Sequence, residues 1–527
     1  MRYRRLIAPI LLFLLIGLAL LAGFLLPRRH SRPTTTSLPP ATVTNTPTPT
    51  PFPPPTVAPS PTRDSWNEQA AALISSRADD LNRLRCPARY EMELEVSPER
   101  SRLAGHMRIN YTNPYIDSLD QLAFRLYANL PERNGKITIY QFSRDGRPAE
   151  VTFEAENTTL LVPLSPPLAA NAETAFTIDF ALDIPTQSNA GYREFGNFDG
   201  VVALAGFYPM IPARMRGNEW SLEIPPNYGD STVADVALYR VALTIPRNMI
   251  VAATGVVIEQ SQDLNAQTKT LKLVSGPARE FAIVMSAEYQ ILSNQVSETT
   301  VRSFFRPQDR AGGERALQVA TDALSLFNEL FGIYPYSELD IAATPTLAGG
   351  IEYPGLIVLN QNYYRGGATS RFDWANVHEV AHQWWYAIVG NDQVEEPWLD
   401  EALTNYSTWL YYQKTTTPEV AEELFRQVFV EPAFRARELG QDQAINLPVR
   451  AYAAANYGPI VYAKGPQFIH ALRERTGEET FFAMLREYRR RYEYRLAAGA
   501  DFLALAEELS GQDLRSFYAE WGFEPSH

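Results

Sequence analysis

The chain has 527 residues, 45% of them hydrophobic and 20% charged, the proportions of globular protein at a length that asks for more than one domain. Its formal net charge is −13, but residues 1–65 hold seven of the 47 basic residues and one of the 60 acidic ones, so the remainder carries −19. That balance argues against nucleic acid or an anionic lipid surface as a binding partner.

Residues 1–5 carry three arginines, and residues 6–26 then run without a charge, long enough to span a bilayer as a helix. The run exceeds the apolar region of a usual signal peptide and no clear small-residue cleavage site follows. Residues 1–26 are therefore expected to form a signal anchor, a single-pass transmembrane helix with the C-terminal side outside the cytoplasm. Secretion after cleavage is the alternative. Residues 27–64 follow as a disordered Pro/Thr-rich linker, with 12 prolines and 10 threonines between positions 27 and 62. Such a segment cannot build a core, and as polyproline II it would reach on the order of 100 Å.

Helical spacing at Leu73, Ile74, Leu81 and Leu84 predicts a leader helix over 65–84. Cys86 is the only cysteine, so no intrachain disulfide is possible and stability must come from packing. From Tyr90 the period changes to two: Tyr90, Met92, Leu94 and Val96 alternate with polar residues, as do Met107, Ile109 and Tyr111. Further strands are expected at 123–130, 137–142, 158–163, 175–181, 238–245 and 281–284, which makes 65–296 a leader helix followed by a largely antiparallel β domain. A last strand at 299–305, a helix over 314–330, strands ending near 343 and over 356–359, and helices from 372 onward mark 297–527 as a mainly helical α/β domain.

Two of the six histidines fall four residues apart in His378-Glu379-Val380-Ala381-His382. On a helix both imidazoles share one face and can grip one metal ion, with Glu379 beside it to activate water. Ser370 with Asp373 reads as a capping box and Gly390 as a stop, over a buried stripe of Val377, Val380, Ala381, Trp384 and Ile388. Catalytic zinc usually takes three protein ligands, and Glu401, with 18 residues between it and His382, is the candidate third ligand on the next helix.

His378-Glu379-Val380-Ala381-His382-Gln383-Trp384-Trp385, the 18-residue gap and Trp398-Leu399-Asp400-Glu401-Ala402-Leu403 together resemble the M1 family of zinc aminopeptidases, within the gluzincin metallopeptidases. Gly349-Gly350-Ile351-Glu352-Tyr353 resembles that family's G-x-M-E-N exopeptidase motif, and Tyr462-Ala463-Lys464-Gly465 its catalytic tyrosine signature. The resemblance covers most of the chain from about residue 90. It implies a saddle-like N-terminal β domain, a thermolysin-like catalytic domain and one zinc per chain on His378, His382 and Glu401. It also implies Glu379 as general base, Tyr462 as the phenol that stabilises the oxyanion, and Glu352 as the anion that binds a substrate's α-ammonium.

Gly349 and Gly350 are expected to let the backbone approach a peptide substrate. Ile351 and Tyr353 stand where the family has methionine and asparagine, Ala402 where it usually has glycine, and Thr408 where it often has a carboxylate. Asn405 or Asp400 is the expected acceptor behind a metal-bound histidine, although Asp400 reads equally as a surface residue. Tyr457 competes with Tyr462, Lys464 reads as structural, and His106, His470 and His527 have no ligand-like spacing. Many M1 enzymes continue into a helical domain over the active site, and without one a more open cleft is expected. The expected function is a membrane-anchored peptidase outside the cytoplasm, acting on peptides with no obligate protein partner. The same apparatus on an internal peptide bond or an epoxide is one alternative, and a catalytically inactive tethered binding module is another.

Overall fold

The computed structural model describes residues 63–187, 192–214, 219–366 and 369–523. The expected transmembrane segment 1–26 and nearly all of the linker 27–64 lie outside them, as does His527. Among the described residues no helix is long and apolar enough to cross a membrane.

The leader is not one helix. It breaks into Arg63–Ala72, Ser75–Arg77 and Asp80–Arg83. The Ile74 amide donates to the Pro335 carbonyl at 2.9 Å and the Ser337 amide to the Ala72 carbonyl at 3.1 Å, so a long-range bridge takes the backbone groups that a continuous helix would use.

The alternating segments build an eight-stranded sheet centred on β1 (Ala88–Ser97), β2 (Arg102–Thr112), β3 (Glu173–Asp183) and β4 (Ala237–Pro246). Tyr90, Met92, Leu94 and Val96 all face the core of that sheet. Met92 pairs with Met107 across the antiparallel β1–β2 ladder and with Val241 across β1–β4. The β1–β4 pair is parallel, a departure from the antiparallel rule that requires a long crossover; the intervening chain supplies it and forms a three-stranded sheet and two strands of a four-stranded one on the way. His106 lies on β2 with Nδ1 2.5 Å from Asp179 Oδ1, a structural pair far along the chain from the metal motif.

A second, five-stranded sheet follows in the C-terminal half. Its members are β5 (Gln290–Val296), β6 (Thr299–Phe305), β7 (Glu338–Thr344), β8 (Gly350–Ile351) and β9 (Leu356–Asn360), in the spatial order β5-β6-β7-β9-β8. The β6–β7 and β7–β9 pairs are parallel, and β8 closes the edge antiparallel to β9. Helix α1 (Arg310–Phe331) connects β6 to β7 and buries Ala316, Ala320, Leu324 and Phe327. Helices α2 (Ser370–His382), α3 (Trp398–Thr415) and α4 (Gly465–Thr476) complete the core around it.

Helix α2 starts and stops differently from expectation. Thr369 is its cap: the threonine hydroxyl accepts from the Phe372 amide at 3.2 Å, while Asp373 is drawn away into a two-pronged contact with Arg315 at 2.9 and 2.7 Å. The α-helix ends at His382, not near Gly390, because Trp385 and Tyr386 leave helical angles. The Tyr386 carbonyl instead accepts from Arg279 Nε at 2.8 Å, and Gly390 packs where any Cβ would strike that arginine. The apolar stripe is as expected: Val377, Val380, Ala381, Trp384 and Ile388 are all fully buried.

Candidate metal centre

Residues four apart on α2 turn both imidazoles to one side, and the first turn of α3 brings a carboxylate to meet them. His378 Nε2 lies 3.1 Å from His382 Nε2, and Glu401 Oε2 lies 3.3 and 3.4 Å from these two nitrogens. Ligands of one tetrahedral ion bound at about 2.0–2.1 Å stand roughly 3.3–3.4 Å apart, so this triangle fits the three protein ligands of a single zinc-sized cation. The chemistry of the donors agrees. Glu401 Oε2 is buried without a hydrogen-bond partner among the described residues, and two imidazole nitrogens converge on it.

The remaining ring nitrogens are engaged in ways that free both Nε2 atoms. His378 Nδ1 faces Asn405 Oδ1 at 3.0 Å, and Asn405 also accepts from Trp374 Nε1 at 3.3 Å. His382 Nδ1 lies 3.1 Å from Thr404 Oγ1 and 3.3 Å from the Trp385 carbonyl. Asn405 is thus the acceptor behind the first histidine, and Asp400 is not.

Glu379, one residue after His378, points to the same place. One oxygen of Glu379, one of Glu352 and a nitrogen of His382 lie within 4.8 Å of one another. Burial and the neighbouring Glu352 charge push the Glu379 carboxyl well above the usual carboxylate range. Burial pushes Glu401 in the same direction, but the two histidines outweigh it and hold that carboxyl down to about 2.

Glu352 follows edge strand β8 and is buried. Gln383, the residue after His382, grips the loop beyond it: its Oε1 accepts from the Gly355 amide at 2.9 Å and its Nε2 donates to the Tyr353 carbonyl at 3.2 Å. The two glycines have different reasons to be there. A Cβ at Gly350 would collide with the Glu379 carboxylate, so that glycine makes room for a protein side chain, whereas Gly349 has only ordinary contacts. Ile351 packs beside Tyr353, which is buried in the family's asparagine position.

Tyr462 reaches the site from a distorted turn just ahead of α4. Its hydroxyl donates to Glu401 Oε1, and its ring lies 6.1 Å from that of His378, nearly parallel to it. Tyr457 packs edge-on against Tyr462 with centroids 5.7 Å apart, behind the Tyr462 phenol and not in its place. Lys464 is structural as expected, bound to Asp442 at 2.6 Å and to the Gln443 carbonyl at 2.8 Å. His470 meets the Tyr406 hydroxyl at 3.1 Å, away from the triangle.

Asp400 corrects the surface reading: it is 2% exposed. Burial and the adjacent Glu401 raise its carboxyl to about 7. Two participants escaped the sequence reading. Gln393 donates to both Glu352 and Asp400, and half-buried Asp230 extends the acidic surroundings from a loop of the β domain. Burial, then Glu352, Glu401 and Asp400, push the Asp230 carboxyl well above its ordinary range. Neither residue lies in a recognisable motif.

Residues 315–521 match the family profile described as the Peptidase family M1 domain. Aminopeptidase 2 of Candida albicans is 20% identical over 400 residues, covering 73% of this chain and 42% of that protein. Aminopeptidase M1-A of Oryza sativa subsp. japonica is 24% identical over 393 residues, covering 71% and 43%. The chain thus spans less than half the length of these relatives. Among solved structures, the M1 zinc metallopeptidase from Deinococcus radiodurans superposes with a TM-score of 0.64 at 17% identity, over 84% of this chain and 95% of that one.

Proposed function

With residues 315–521 an M1-family peptidase domain, we propose that the chain is a zinc aminopeptidase that removes N-terminal residues from peptides. The observation that carries this reading is a single juxtaposition. Three ligand atoms stand 3.1–3.4 Å apart, with Glu379 and Glu352 beside them. The curated relatives are aminopeptidases by name, and one solved neighbour is bound to a Tyr-Ser-Ala substrate, which supports peptides as the substrate class.

His378, His382 and Glu401 would hold the zinc, which when bound supplies positive charge to polarise a peptide carbonyl and acidify water. Glu379 takes the proton of the attacking water and passes it to the departing amine. The Tyr462 hydroxyl turns from Glu401 to donate to the oxyanion that forms on the former carbonyl. Glu352 pairs with the substrate's α-ammonium, a charge-assisted contact that a blocked amino terminus cannot make.

The uncharged run 6–26 and the proline-rich stretch after it support a single-pass anchor, with a β domain over 65–296 and a peptidase domain over 297–527 held outside the cytoplasm. Carbonate extraction and protease accessibility of intact cells test that placement. For the reaction, the full chain in detergent is assayed for zinc content and for hydrolysis of aminoacyl amides with free and with acetylated amino groups. Equal rates on the two substrate forms would reduce the assignment to a general zinc peptidase.

A further inference from the structure

Glu352 is not the end of its hydrogen-bond chain. Gln393 Nε2 donates to Glu352 Oε1 at 3.2 Å and to Asp400 Oδ2 at 2.8 Å, so one amide nitrogen spends both of its hydrogens on two carboxylates. The opposite amide orientation would set a carbonyl oxygen against both, which fixes the assignment. Asp400 is held in turn: its Oδ1 accepts from Asn391 Nδ2 at 3.0 Å, and Asn391 is tied to the Glu396 carbonyl at 3.1 Å. Gln393 and Asp400 are each 2% exposed, and Asn391 is 3% exposed. Val394, next to Gln393, pins the segment by accepting from the Val449 amide at 2.9 Å.

We infer that Gln393 is a positioning residue for amino-group recognition, with Asp400 as its support. The bridge clamps one oxygen of Glu352 from behind and leaves the other for a ligand ammonium. It also keeps two neighbouring carboxylates from swinging apart under their mutual repulsion, so the negative charge stays aimed at the site. Because Asp400 directly precedes the metal ligand Glu401 on α3, the bridge ties the amino-group anchor to the helix that supplies a metal ligand. This inference rests on the reading of Glu352 as the ammonium anchor.

The test uses the full chain and a peptide amide offered with a free and with an acetylated amino group. Gln393→Met keeps length and removes both donors. It should raise KM for the free form about tenfold relative to the acetylated form, with bound zinc equal to wild type. Asp400→Asn retains an acceptor for Gln393 and should preserve most of the discrimination. In the pair Glu352→Gln with Gln393→Met, the second change should add nothing to the first, since the charge that it positions is gone. Gln393→Ser replaces Gln393→Met should the latter fail to fold, as judged by thermal melting. Unchanged discrimination in a folded Gln393 variant, alongside its loss in Glu352→Gln, overturns the bridge alone. Additive effects in the double variant do the same. Retained discrimination in Glu352→Gln overturns the anchor reading, and the bridge with it.

Discussion

Asn405 Oδ1 sits 3.0 Å from Nδ1 of His378, one helical turn beyond Glu401 on the helix that bears the candidate third ligand. The same side chain donates from Nδ2 to the Tyr462 carbonyl at 3.1 Å. One residue therefore orients a candidate metal-binding imidazole and fixes the backbone of the candidate oxyanion donor. Asn405→Leu should weaken metal affinity roughly 10–100-fold, as loss of such outer partners does. Competition with a graded chelator measures this, and an unchanged zinc dissociation constant would remove Asn405 from the metal's support.

The ligand triangle itself makes a stoichiometric prediction. His382→Ala should lose bound zinc together with activity, since a site with one imidazole and one carboxylate is an ordinary weak chelate. Chelation should silence the wild-type chain and added zinc restore it. A full equivalent of zinc in the purified variant would show that other residues hold the ion.

Binding and chemistry should separate at the next two positions. Glu379→Gln keeps the shape of the base and removes its function, so zinc stays while kcat falls at least about 10²-fold. Tyr462→Phe should also retain zinc and act mainly on kcat, because its hydroxyl is used on the transition state. Near-normal kcat in either variant refutes the role assigned to it.

The two adjacent glycines should behave differently. Gly350→Ala places a methyl against the Glu379 carboxylate, whereas Gly349→Ala meets nothing closer than ordinary contact. A shift of the base by an ångström is enough to cost about 10²-fold, so Gly350→Ala should depress kcat strongly with zinc retained and Gly349→Ala only slightly. Similar kcat values for the two variants would mean that Glu379 has room to move.

Glu280 supplies a pH signature in stability. It is buried, it accepts from the Tyr386 hydroxyl, and burial raises its carboxyl from 4.5 to about 7, against the opposing pulls of that hydrogen bond and of Arg133. The folded state therefore holds a proton that the unfolded chain gives up. The contribution is fully present below pH 4.5 and is lost as pH rises to about 7, a swing on the order of 3 kcal/mol. Glu280→Gln should flatten this decline. Denaturant melts of both proteins at pH 5 and pH 8 test it, and parallel pH profiles count against it.

How much of this could be read from the residues depends on distance along the chain. His378, Glu379 and His382 sit within one turn, and Glu401 opens the next long helix, so spacing alone brings the triangle into view. The period-two strands were equally legible because alternation is local. The broken leader was not, since its backbone partners at Pro335 and Ser337 lie more than 250 residues away. The cap at Thr369 was missed because Asp373 had an ion-pair partner in Arg315 that spacing cannot reveal. Gln393 was invisible for the same reason: it stands 41 residues from Glu352, in a segment with neither period nor motif.

The grip of Gln383 on the loop after Glu352 has one more consequence. The side chain next to His382 holds the Gly355 amide and the Tyr353 carbonyl, which ties the segment after Glu352 to the end of α2. One oxygen of Glu352, one of Glu379 and a ring nitrogen of His382 lie within 4.8 Å of one another, while each residue of an extended peptide advances about 3.3–3.6 Å. A peptide whose amino group is seated on Glu352 then has slack for a single residue before its first carbonyl meets the reactive centre. In the proposed reaction the loop works as a ruler: it meters the substrate one residue at a time, and trimming two at once would require lengthening that span.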